Sequence, residues 1–240
     1  NTKAMSGTVG SYGTGVISSL DSNGFTIEAD ARVNEDTTVY YWLALRERPG
    51  RLKLISYTGD GADNRGITGA GFQPDMVWLF GSGSNEADWR TNELAGDLSQ
   101  TFGGLPAANR IQSLDSNGFT VGSNARVNEN AISFFAVCFK KTSGLLNIVS
   151  YVGTTLDDKE ITGAGFQPTF AMVQARTTTT STAFIRFMET AGDSSHAINN
   201  AVSQPAADQI QALQADGIQV GTVAGVNAAA TDYTAVFFKN

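Results

Sequence analysis

The chain has 240 residues, a net charge of −7 and an isoelectric point near 4.7, and only 16% of its residues are charged. With no basic cluster, such a surface repels a phosphate backbone, which argues against nucleic acid as a partner. The longest apolar runs, such as 134–139, fall far short of the roughly 20 residues that cross a bilayer, so no membrane insertion is expected.

Residues 1–5 (NTKAM) carry neither an apolar leader nor an initiator methionine and read as a processed start or an excised piece. Further along, Ser19-Leu20-Asp21-Ser22-Asn23-Gly24-Phe25-Thr26 is the first half of a repeated phrase. It returns 94 positions later as Ser113-Leu114-Asp115-Ser116-Asn117-Gly118-Phe119-Thr120. Asn23-Gly24 is a hairpin turn, because these residues accept positive φ at little steric cost. After Val33-Asn34, residues 39–45 (VYYWLAL) predict a strand.

A second unit opens with a strand over 54–57 and a polar turn. Ile67-Thr68-Gly69-Ala70-Gly71-Phe72-Gln73-Pro74 follows and recurs unchanged at 161–168, again 94 positions on. Pro74 and Pro168 stand just before the strands predicted over 75–80 and 169–174, where a missing N–H is tolerated. Residues 93–98 predict a short helix. Residues 106–112 recur at 205–211 after a five-residue insertion, giving a third copy. In that copy Ala207, Ile210 and Leu213 have near-helical spacing, but the corresponding stretch 109–115 runs straight into a hairpin, which favours strand. Asn117-Gly118 and Asp216-Gly217 are further turns, and 134–139 and 233–238 are closing strands behind Val127-Asn128 and Val226-Asn227.

These phrases predict an all-β protein of antiparallel β-sandwich-like modules, built from an internal repeat of about 94 residues with little helix. Residues 1–50 are the second half of a first repeat, 51–144 a complete second repeat and 145–240 a complete third. Gly7 aligns with Gly96 and Gly192. The strands of the half repeat have partners, in the other copies, that come from a first half not found here. They therefore predict an edge that is covered by upstream chain or by a neighbouring subunit.

Candidate chemistry is sparse. Asp60, Asp63, Asp157 and Asp158 lie in corresponding loops, but Gly61-Ala62 and Arg65 break the alternating oxygen pattern of a calcium loop, so no metal is expected. Asp97 and Asp193 occupy corresponding positions after glycine and read as local caps rather than an acid–base pair. His196 is the sole histidine, outside any nucleophile elbow, and Cys138, the sole cysteine, sits in an apolar strand as a core thiol. Gly69-Ala70-Gly71 and Gly163-Ala164-Gly165 lack the Gly-Lys-Ser/Thr ending of a phosphate loop and read as turns. Among the aromatics, Trp89 beside a polar loop is the candidate for surface ligand binding, by stacking on a sugar. No catalytic residue and no cofactor is assigned.

Taken together, Tyr57-Thr58-Gly59-Asp60-Gly61, Gly71-Phe72-Gln73-Pro74-Asp75-Met76-Val77-Trp78, the 113–122 hairpin and Ala136-Val137-Cys138-Phe139-Lys140 resemble repeat modules of tailed-bacteriophage structural proteins. Such modules are often found behind lectin-like domains in tail-fibre and other virion proteins. The third copy departs by carrying Thr169-Phe170-Ala171-Met172 where the second has Asp75-Met76-Val77-Trp78, so no role passes to it from Asp75 or Trp78. The resemblance implies a non-enzymatic virion protein, a tail-fibre or host-attachment element or a capsid decoration, in an extracellular particle. It implies other virion proteins as partners, a homo-oligomer, and in some cases a host-surface glycan. The alternative is a carbohydrate-binding module or bacterial surface adhesin. A hydrolase resting on Asp97 and His196 is the weakest reading.

Overall fold

The computed structural model describes residues 16–177, 182–198 and 205–239; residues 1–5 and Gly7 lie outside them. A first hairpin, β1 (Ile17–Asp21) and β2 (Gly24–Ile27), leads into one helical turn, α1 (Ala31–Asn34). Next come β3 (Leu52–Thr58), β4 (Arg65–Thr68), β5 (Met76–Gly81), β6 (Asp88–Thr91), β7 (Gln100–Thr101), β8 (Ile111–Asp115), β9 (Gly118–Val121), α2 (Ala125–Asn128) and β10 (Ser133–Phe139). The chain closes with β11 (Leu146–Val152), β12 (Lys159–Thr162), β13 (Phe170–Ala175), β14 (Ala183–Phe187), β15 (His196–Ile198), β16 (Ile210–Gln214), β17 (Gly217–Val220), α3 (Ala224–Asn227) and β18 (Asp232–Phe238).

The protein is all-β, antiparallel and sandwich-like. A five-stranded sheet ordered β3-β10-β5-β6-β7 faces a three-stranded sheet ordered β4-β9-β8, and the same arrangement returns as β11-β18-β13-β14-β15 over β12-β17-β16. The turns behave as their residues require: Gly24, Gly118 and Gly217 have φ of 153°, 148° and 145°.

Side-chain alternation along the central strands builds three cores. Val77 and Leu79 of β5 join Phe134, Ala136 and Cys138 of β10 against Ile67, Phe119 and Val121 of the small sheet. In the second sandwich Ala171, Val173, Tyr233 and Phe237 meet Ile161, Ile218 and Val220. The opposite faces of the two large sheets meet each other: Met76, Trp78 and Phe139 pack with Ile148, Phe170, Met172, Val236 and Phe238. Ring centroids of Trp78 and Phe139 lie 4.9 Å apart, and those of Phe139 and Phe238 5.6 Å. At about 1.5–3 kcal/mol for each large apolar side chain buried, this middle layer joins the two sandwiches into one body. β18 is buried on both faces from Tyr233 to Phe238, which is why 233–238 read as a continuous apolar run, whereas along β10 buried Phe134 and Ala136 alternate with exposed Phe135 and half-buried Val137.

Two expected elements are absent. Residues 93–98 form turns and bends instead of a helix, because the Arg90 guanidinium takes the carbonyls of Leu94, Gly96 and Leu98 that a helix would need. Residues 39–45 are not a strand. Their counterparts β10 and β18 each pair on both sides, with β3 and β5 or with β11 and β13, whereas 39–45 have no ladder neighbour among the described residues.

Candidate functional site

The sequence candidates fall into structural roles. Trp89, expected at the surface, is fully buried in β6 and is corrected to a core residue. Its indole N–H donates to Gln174 Oε1 at 2.8 Å across the joint between the sandwiches, and its ring stacks on Phe102 with centroids 5.8 Å apart. The strand pairing of β6 with β5 turns the ring inward, so no face is open to a sugar.

Asp60 and its neighbours form a turn. Asp60 Oδ1 accepts from the Ala62 N–H at 2.9 Å and from Asn128 Nδ2 at 3.0 Å, while Arg65 Nε lies 3.3 Å from Oδ2. The Ala62 bond foremost, with Asn128 and Arg65 after it, lowers the Asp60 pKa. Asp63 and Asp157 accept from Gln112 and Gln211, each at 2.9 Å. Among the described residues no three acidic, histidine or cysteine side chains gather as a metal-holding group. Asp97 and Asp193 each tie a loop by accepting a backbone N–H, from Asn109 at 3.1 Å and from Asp208 at 3.4 Å. The Cys138 thiol is buried, and burial pushes its pKa up to about 12. His196 is half-buried in β15, where burial first and Arg186 second lower its pKa, and its ring lies 4.9 Å from that of Tyr41.

Two polar devices were not foreseen. Arg90 donates to the carbonyls of Leu94 (3.1 Å), Gly96 (2.7 Å), Ile111 (3.3 Å) and Leu98, and Arg186 does the same to Thr190 (3.1 Å), Gly192 (2.7 Å), Ile210 (3.3 Å) and Ser194. Each arginine is a spool for its loop. Asp88, wholly buried, accepts from Ser99 Oγ and from Arg110 Nη1 at 3.2 Å. Desolvation outweighs both partners and raises its pKa to about 7. In the second sandwich Phe184 and Gln209 stand at these places, and Ser195 Oγ donates to Gln209 at 2.9 Å. The second sandwich has the corresponding strand order without this pair.

What remains open is an apolar surface on residues 17–45. Among the described residues, five of the exposed large apolar side chains are Leu20, Ile27, Val39, Tyr40 and Trp42, with Trp42 60% and Leu20 86% exposed. Residues 41, 43 and 45 point toward the body: Tyr41 stacks on Phe187 at 5.3 Å, and Leu43 and Leu45 touch the middle core. Tyr40 and Trp42 point the other way, with Trp42 edge-on to Phe25 at 5.3 Å. A cleft of about 410 Å³ is lined jointly by residues 39–44 and by Thr169, Phe170, Phe187 and Glu189. The chemistry offered is backbone pairing and apolar burial, the two components of strand addition.

Residues 51–147, which contain β3 through β10, match a family described as a domain of unknown function (DUF7483). No curated protein and no solved structure matches the chain.

Proposed function

We propose that this chain is a non-enzymatic structural protein of a tailed-phage virion, a tail-fibre or host-attachment element or a capsid decoration, that works by docking onto other virion proteins or further copies of itself. The observation that carries the reading is the apolar segment 39–45, which has no ladder neighbour among the described residues, beside two sandwiches whose strands are paired. Exposed apolar surface of this kind mediates association. The sequence resemblance supplies the particle, the net charge of −7 suits a solvated exterior, and the acidic and histidine candidates are engaged in turns and packing. With Trp89 inside the core, the glycan-binding alternative loses the residue nominated for it.

Mass spectrometry of gradient-purified particles tests the reading. Recovery of the chain at a fixed copy number per particle supports it; recovery only from the surrounding lysate contradicts it.

A further inference from the structure

The hairpin β1–β2 has nearly everything its two counterparts have except the strand that covers them. Ser19 Oγ and Thr26 Oγ1 donate to Asp21, both at 2.8 Å, as Ser113 and Thr120 donate to Asp115, both at 2.7 Å. The Tyr40 hydroxyl accepts from the Glu35 N–H at 3.0 Å and donates to the Ala31 carbonyl at 2.7 Å. Tyr233 does the same with Ala228 at 2.8 Å and Ala224 at 2.5 Å. Hairpin, helical turn and the entry to 39–45 are therefore already in the shape of a finished sandwich.

No described residue covers this face. β9 pairs with β8 and β4, and β17 with β16 and β12, whereas β2 pairs with β1 alone among the described residues. A Cβ on Gly118 or Gly217 would fall 2.0 Å from the carbonyl oxygen of Ile67 or Ile161; on Gly24 it would meet nothing within 4 Å. Phe119 and Val121 are fully buried, but Phe25 is only half-buried and Ile27 is 36% exposed. Asn128 is buried, accepting from the Asp60 N–H at 3.1 Å and donating to the Ala62 carbonyl at 2.7 Å, while Asn34 is exposed. Four separate features thus lack the same neighbour.

We propose that residues 17–45 are an acceptor half-sandwich whose occupant is a polypeptide segment with the pattern of β3 to β5. That pattern is an apolar strand, then Ile-Thr-Gly-Ala-Gly-Phe-Gln-Pro, then a second apolar strand. The donor Ile pairs with Phe25 and the donor Thr with Gly24, following Ile67 with Phe119 and Thr68 with Gly118. The two apolar strands flank 39–45 as β3 and β5 flank β10. A folded second copy does not supply the segment, because its own β4 and β12 are already paired. This inference stands on the acceptor geometry and is independent of the virion reading.

The test titrates the 240-residue chain with a synthetic peptide of residues 52–81 carrying Trp78→Phe, so that the peptide brings no tryptophan, following the emission of the exposed Trp42 and the binding heat. One-to-one binding with a blue shift is expected. Asn34→Ala, at an exposed position, leaves stability unchanged but weakens binding about tenfold or more, as loss of bonds to a clamped turn requires. A peptide carrying Ile67→Pro does not bind. Absence of binding, equal affinity for Asn34→Ala, or a chain that already self-associates with this face covered overturns the proposal. A second form, with residues 52–81 joined upstream through a flexible Gly-Ser linker, guards against peptide aggregation. An unchanged Tm and unchanged amide exchange at Gly24–Ile27 in that form also overturn it.

Discussion

Trp89 and Gln174 are joined by a 2.8 Å hydrogen bond that crosses from one sandwich to the other, and Gln174 Nε2 continues it to the Thr101 carbonyl at 2.7 Å. Both side chains are fully buried, so water cannot replace either bond. Gln174→Ala orphans the indole N–H and leaves the Thr101 carbonyl with only the Gly104 N–H at 3.3 Å, and is expected to lower stability by about 2–4 kcal/mol. Urea unfolding followed by tryptophan fluorescence measures it; a loss below about 0.5 kcal/mol contradicts the bridge.

Asp88 makes stability depend on pH in an unusual direction for a carboxylate. Its folded pKa, raised to about 7, exceeds the unfolded value of 3.8, so its contribution is full below pH 3.8 and is lost as pH rises through about 7. The loss amounts to at most roughly 4 kcal/mol. Asp88→Asn removes that downward slope between about pH 4 and 7. Unfolding free energies of both proteins across the window check it, and parallel pH profiles contradict it.

Arg90 and Arg186 each satisfy four carbonyls with a planar fork that an ammonium cannot copy. Arg90→Lys and Arg186→Lys are each expected to cost ~3 kcal/mol and to open the loop they hold. Limited proteolysis locates the opening: new cleavage falls within 94–98 for the first and 190–194 for the second. Wild-type resistance in both variants contradicts the spool.

Cys138 faces the first sandwich's core with its thiol pKa pushed up to about 12 by burial. It is expected to resist an aromatic disulfide reagent at pH 8 until the fold is opened by denaturant. Stoichiometric labelling of the native protein within minutes contradicts this.

Local turn chemistry made the hairpins legible, since Asn-Gly and Asp-Gly act over two residues; Gly24, Gly118 and Gly217 all adopt the expected positive φ. The apolar runs 134–139 and 233–238 became β10 and β18 because each finds ladder neighbours on both sides. Residues 39–45 carry an equally strong strand pattern and are not a strand, because periodicity records what a segment prefers and not whether neighbours exist to pair with it. Trp89 misled through its position beside a polar loop: burial was decided by a second sandwich packing over β6, 85 residues away in sequence. The arginine spools left one signal, an arginine followed six positions later by glycine in corresponding places, Arg90 with Gly96 and Arg186 with Gly192. Asp88 left none, since Phe184 takes its place in the other sandwich.

The uncovered hairpin is tested most directly by residue-resolved amide exchange on the free chain and on its mixture with the 52–81 peptide. In the free chain, Gly24–Ile27 is expected to exchange far faster than its counterparts Gly118–Val121 and Gly217–Val220, which lie between two strands. Adding the peptide should slow Gly24–Ile27 and residues 39–45 toward the rates of β9 and β10. Equal protection of all three hairpins in the free chain, or no slowing with peptide, would contradict an open acceptor edge.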